Sequence, residues 1–209
     1  MRRFVSTALR TVAPALLSVG AAAAAHAHDT GTIGVRAGFA PGFSHPLHGL
    51  DHILAMVAVG LWAAQTGGKA TWAIPLTFVG VMALGGAWGM AGGALPLPEM
   101  GITLSVLLLG VLIAAAARPK LWVGMLLVGL FALFHGHAHG AEMPAAVSSL
   151  NYAAGFISAT LLLHAAGIAT AIAAQKGVEA AATPQAKLLR FAGAAIALCG
   201  GYLTFSTFA

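Results

Sequence analysis

Two short stretches of this chain concentrate groups that can do chemistry. "SHPLHGLDH" at residues 44–52 and "FHGHAHGAE" at residues 134–142 carry six histidines and three carboxylate or hydroxyl neighbours, in a chain that is 59% hydrophobic and 7% charged. Imidazole with carboxylate is the donor set of borderline divalent ions such as Zn, Ni, Co and Cu(II), whereas Cu(I) and iron–sulfur sites want thiolates. The single Cys199 supplies neither a disulfide nor a Cys-rich site. Neutral imidazole binds metal near physiological pH because its free pKa is about 6.5.

The spacing turns residue types into faces. Pro46 suits a first helical turn, where its missing N–H costs nothing. A helix starting there puts His45, His48 and His52 at i, i+3, i+7, with Asp51 at the edge of the stripe, all within an arc of about 120°. On the second stretch His135, His139 and Glu142 fall at i, i+4, i+7 and share a face if the helix persists past Gly136 and Gly140. Pro144 should end it. His137 points nearly the opposite way, which favours an ordinary structural role for it. One histidine near a helix end is usually interfacial or a satisfied core residue, but six with two carboxylates at one depth are better explained as metal ligands.

The elements that position these residues are membrane helices. A mean hydropathy of +0.91 and several uncharged runs of about 20 residues fit helices crossing a hydrocarbon core of roughly 30 Å. The runs do not alternate, which excludes a transmembrane barrel. The 27 glycines suit close helix packing in a membrane, and Gly85, Gly89 and Gly93 read as one such face. The expected fold is all-α, a polytopic bundle of six transmembrane helices near Pro46–Gln65, Trp72–Gly92, Met100–Ala117, Leu121–His139, Leu150–Ala174 and Leu188–Phe205. Arg2, Arg3 and Arg10, the apolar Thr11–Ala24 and the Ala25-His26-Ala27 end read as a signal peptide over residues 1–27, cleaved to leave a six-helix membrane domain over 28–209. An uncleaved first helix is the alternative. Cleavage would expose His28 and Asp29, a weak metal-sampling pair.

Charge sets the expected orientation. With the mature N-terminus outside, Lys69, Arg118, Lys120, Lys176, Lys187 and Arg190 fall on the cytoplasmic side and Arg36 alone outside, as the positive-inside rule requires. Both mature termini are then periplasmic in a bacterial inner membrane, and both histidine clusters lie at the outer face. The formal charge of +5 does not indicate nucleic acid, since no basic stripe exists to follow a phosphate backbone. His164, near the middle of the fifth span, reads equally as a deeper step on an ion path or as a hydrogen bond to a neighbouring helix. Asn151 and Tyr152, at the outer start of that span, are candidate supporting donors.

The chain resembles the HupE/UreJ family of nickel and cobalt permeases. "HPLHGLDH" matches that family's H-x5-D-H motif with His45, Asp51 and His52. "FHGHAHGAE" matches F-H-G-x-A-H-G-x-E with Phe134, His135, Gly136, Ala138, His139, Gly140 and Glu142. The resemblance implies a secondary permease importing Ni²⁺, or Co²⁺, as its substrate, with no resident cofactor and with hydrogenase or urease maturation proteins as receivers. The motifs leave positions 48 and 137 free, which ranks His48 below His45 and His52. No Walker A sequence is present to couple ATP. An intramembrane metal-dependent hydrolase is the alternative, although H-E-x-x-H and G-x-S-x-G are both missing. A haem protein using axial histidines such as His164 ranks lower.

Overall fold

Long apolar runs can satisfy every backbone N–H and C=O in lipid by coiling into helices. The computed structural model describes residues 38–144, 146–176 and 184–209, and the regular structure among them is entirely helical. Helix α1 spans Phe39–Ser44 and runs into a 3₁₀ turn at His45–Leu47. It is followed by α2 (Leu50–Thr66), α3 (Ala70–Met90), α4 (Pro98–Ala114), α5 (Leu121–Ala141), α6 (Ser149–Lys176) and α7 (Pro184–Phe208). The expected signal peptide, His28, Asp29 and Arg36 lie outside the described residues, as does the 177–183 part of the last loop.

Four helices, α3, α5, α6 and α7, are long and apolar enough to cross a membrane, and the α1–α2 pair counts as a fifth if it is one broken span. The third expected span appears as α4, apolar but only 17 residues long. It stops at Ala114 rather than Ala117 because Ala116 takes a left-handed φ of 52°, which turns the chain. Leu84, Trp122, Leu126, Leu198 and Phe205 project outward from the bundle, as side chains that face lipid do.

The first span departs from the sequence expectation. The helix does not run on from Pro46. Pro46 opens a single 3₁₀ turn, Gly49 is extended at φ −98° and ψ 123°, and α2 begins only at Leu50. The two pieces are bent by 84°. His45 and His48 therefore do not share a helical stripe with His52. An extended glycine cannot continue the i to i−4 ladder, so the break falls there.

Antiparallel helices sort the bundle into two ends. The Gln65 amide donates to the Ile113 carbonyl at 3.1 Å, the Gln175 amide to Ala64 at 3.2 Å and the Arg190 guanidinium to Ala114 at 2.8 Å. These bonds gather the C-terminal ends of α2, α4 and α6 and the start of α7. Lys69, Arg118 and Lys120 sit in connections at this same end. The histidine-bearing turn before α2 and the C-terminal end of α5 are at the other.

The tightest crossing is that of α3 with α5. A Cβ on Gly136 would overlap the Met82 carbonyl, and one on Gly140 would overlap the Gly86 carbonyl. From the other side, Gly85 and Gly89 lie against the carbonyls of Leu133 and His137. Small residues let two backbones touch, the usual source of attraction between helices in lipid. Gly80, on the same helix, faces open space. Gly136→Ala should therefore destabilise the solubilised protein by about 1–3 kcal/mol through overpacking. Gly80→Ala should not destabilise it, and thermal melts of the two variants check the contrast.

Candidate metal centre

The short α1 is clamped on α6 by two close approaches, Gly42 against the Tyr152 carbonyl and Gly155 against the Phe39 carbonyl. That clamp seats His45, in the turn that follows, beside the last turn of α5. There His45, His139 and Glu142 each offer a donor atom, and the three atoms all lie within 4.8 Å of one another. His139 is buried, His45 half-buried, and Glu142, which caps the C-terminus of α5, is exposed. The partial negative charge at a helix C-terminus favours a cation at this spot.

His52 and His135 extend the group. The His52 ring lies 4.5 Å from that of His139 and 5.5 Å from that of His135, centroid to centroid. Hydrogen bonds fix which nitrogen of each ring is free. His52 Nδ1 donates to Asp51 Oδ1 at 2.7 Å, and the same carboxylate oxygen accepts the His52 backbone N–H at 2.9 Å. His135 Nδ1 donates to the Phe131 carbonyl at 2.9 Å. In both rings Nε2 is buried and unpartnered, and in His139 both nitrogens are. Carboxylate or carbonyl on one imidazole nitrogen with the other left free is how metal-binding histidines are oriented. Asp51 thus acts on His52 from behind, while Glu142 lies among the donors themselves.

The remaining sequence candidates are placed elsewhere. His48 is exposed, and its Nδ1 donates to the Ser44 carbonyl at 2.7 Å, closing the turn locally. His164 is buried on α6, edge-on to the Phe78 ring at 5.1 Å. His137 points away, as the helical arc indicated: its Nε2 donates to the Gly93 carbonyl at 2.6 Å and its ring packs on Trp88. It ties α5 to the connection after α3.

Sequence reasoning missed the walls of the site. Phe156 packs tilted against His139 at 4.4 Å and Phe78 stands 5.4 Å from His135, both buried. Phe156 is one turn on from Tyr152, a spacing that would have identified it once Tyr152 was placed. Tyr152 lies 6.0 Å from the His45 ring, and its buried hydroxyl has no partner. Glu99, in the first turn of α4, is a further carboxylate the sequence reading missed. A cavity of about 80 Å³ lined by His139, Met82, Tyr152 and Phe156 adjoins the cluster.

The sequence matches the family described as HupE / UreJ protein over residues 15–203. It is 46% identical over 181 residues to Protein HupE of Rhizobium leguminosarum bv. viciae, an alignment that covers 86% of this chain and 89% of that relative. No solved structure matches the chain.

Two histidines on α5 should separate by stability. His137→Ala removes the hydrogen bond to Gly93 and should lower the stability of the solubilised protein by about 1 kcal/mol. His139→Ala removes a ring whose nitrogens have no partner, and should cost less than a buried, hydrogen-bonded histidine of that size. Thermal melts in detergent without added metal make the comparison.

Proposed function

The chain belongs to the HupE/UreJ family, and we propose from that premise that it is a secondary permease importing a divalent transition metal, Ni²⁺ or Co²⁺, across the bacterial inner membrane. The observation that carries this reading is the meeting of His45, His139 and Glu142, with donor atoms within 4.8 Å, at one end of a bundle of apolar helices. Ionisable groups at such a place are expensive unless they line a path or hold an ion. In this reading the chain has a cleaved signal peptide over residues 1–27, six spans and both mature termini in the periplasm. The described lysines and arginines, gathered at the far end, then face the cytoplasm.

The ion arrives hydrated at Glu142, which is exposed and negatively charged. It exchanges waters for the imidazoles of His45 and His139, with the His52 ring 4.5 Å from that of His139. Asp51 holds the Nδ1 proton of His52, so that Nε2 presents its lone pair. The carboxylates offset the charge of the dication while it loses water. A potential of 100 mV favours inward movement of two charges by about 4.6 kcal/mol, enough for uptake without ATP. The protein then needs no resident cofactor, and metal-centre maturation proteins for hydrogenase or urease would receive the ion. No feature of the site favours a hydrolase that would retain its metal.

Uptake of radioactive nickel into cells lacking their own nickel importers, at matched membrane expression, tests this. Wild type should accumulate nickel above empty cells, His139→Ala and His52→Ala should abolish the gain, and His137→Ala should leave most of it. Asp51→Asn should reduce metal affinity about 10–100-fold, the usual cost of losing a group that orients a ligand. Wild-type cells that accumulate no more nickel or cobalt than empty ones would sink the reading.

A further inference from the structure

The histidines of the cluster, from half-buried His45 to fully buried His135, form a file rather than a single knot. Ring centroids are separated by 4.6 Å from His45 to His139, 4.5 Å from His139 to His52 and 5.5 Å from His52 to His135. The file then meets Phe78, whose ring is 5.4 Å from His135 on one side and 5.1 Å from His164 on the other. Phe78 is fully buried, and its ring touches both His135 and His164.

His164 is the unusual member. It is 1% exposed, and neither ring nitrogen has a hydrogen-bond partner. A histidine kept for a helix-to-helix hydrogen bond would make that bond, and this one does not. The position is not loosely packed, because a Cβ on Gly60 of α2 would overlap the His164 carbonyl. A buried imidazole with two idle nitrogens, in a tight crossing, is costly unless something binds it. Two further donors stand one turn toward the outer cluster. Thr160, four residues before His164 on α6, is fully buried, and its hydroxyl lies 3.8 Å from the Met82 thioether. Met82 is itself four residues from Phe78 on α3. The two helices thus face each other with His164 and Thr160 on one side, Phe78 and Met82 on the other.

We propose that His164 is an inner ligand for the transported ion, a second station parted from the outer histidines by the Phe78 ring, with the Thr160 hydroxyl and the Met82 thioether as donors between them. The proposal rests on the permease reading and adds where the ion goes after the outer site. Imidazole, hydroxyl and thioether are all neutral, so a dication is held there less tightly than among Asp51 and Glu142. A weaker second station lets the ion leave inward.

The test places a spectroscopic reporter at the position. A Cys199→Ala, His164→Cys double variant is purified in detergent and titrated with Co²⁺ alone. An ion reaching the inner station should give a thiolate-to-cobalt charge-transfer band in the near ultraviolet, absent from Cys199→Ala. Visible cobalt bands of an outer-site complex without that charge-transfer band would overturn the proposal. A second variant, His164→Gln, should keep Co²⁺ binding within twofold of wild type while uptake falls at least tenfold. Unchanged uptake would overturn it, and so would loss of binding together with uptake, which would make His164 a structural residue. Failure of the permease reading is seen separately, as wild type that binds Co²⁺ but does not carry it into cells.

Discussion

The site depends on backbone contact between α3 and α5. On α5, glycines and histidines occupy adjacent rows of the same four-residue repeat: Gly136 and Gly140 on one, His135 and His139 on the next. The glycine row admits the carbonyls of Met82 and Gly86 to direct contact. That approach is what carries the histidine row inside, where His135 and His139 are almost completely buried. A methyl group on either glycine would separate the helices and leave the imidazoles at a gap. The packing motif and the buried histidine motif are therefore one stretch of sequence, "HGHAHG", read on two faces.

Burial in turn sets the chemistry. Away from water each imidazole must direct its nitrogens deliberately, and the hydrogen bonds at Phe131 and Asp51 occupy one nitrogen each and free the other. Asp51 does this while sitting in the first turn of α2, where a carboxylate is also favoured by the helix dipole. The C-terminus of α5 supplies the opposite partial charge beside Glu142. The α5 C-terminus and the two carboxylates thus impose a field that welcomes a cation at one end of the bundle. The described cationic side chains are kept at the other.

Much of this was legible in the residues. The helical arc of "FHGHAHGAE" separated His137 from His135 and His139, and the structure gives His137 a different partner, the Gly93 carbonyl. Of the expected Gly85, Gly89 and Gly93 face, the first two lie against α5, while Gly93 falls beyond the end of α3 at Met90 and a Cβ there would meet Trp88. The stripe drawn from Pro46 does not, because periodicity cannot register a break that a single extended Gly49 makes. His45 reaches the cluster by a different route, through the clamp of α1 on α6, which depends on contacts between residues more than a hundred positions apart. Phe78 and Glu99 were invisible for the same reason: an apolar or single charged residue carries no local signal of the cavity it faces, whereas Phe156 could be reached only through its helical spacing from Tyr152.

The central claim is that imidazole and carboxylate donors from the turn before α2 and the end of α5 hold the transported ion. X-ray absorption at the nickel edge of the purified, nickel-loaded protein tests it most directly. The account predicts a nearest shell dominated by nitrogen and oxygen with the outer-shell scattering of several imidazoles, both lost in His139→Ala. A shell dominated by sulfur, or one without imidazole scattering, would contradict it.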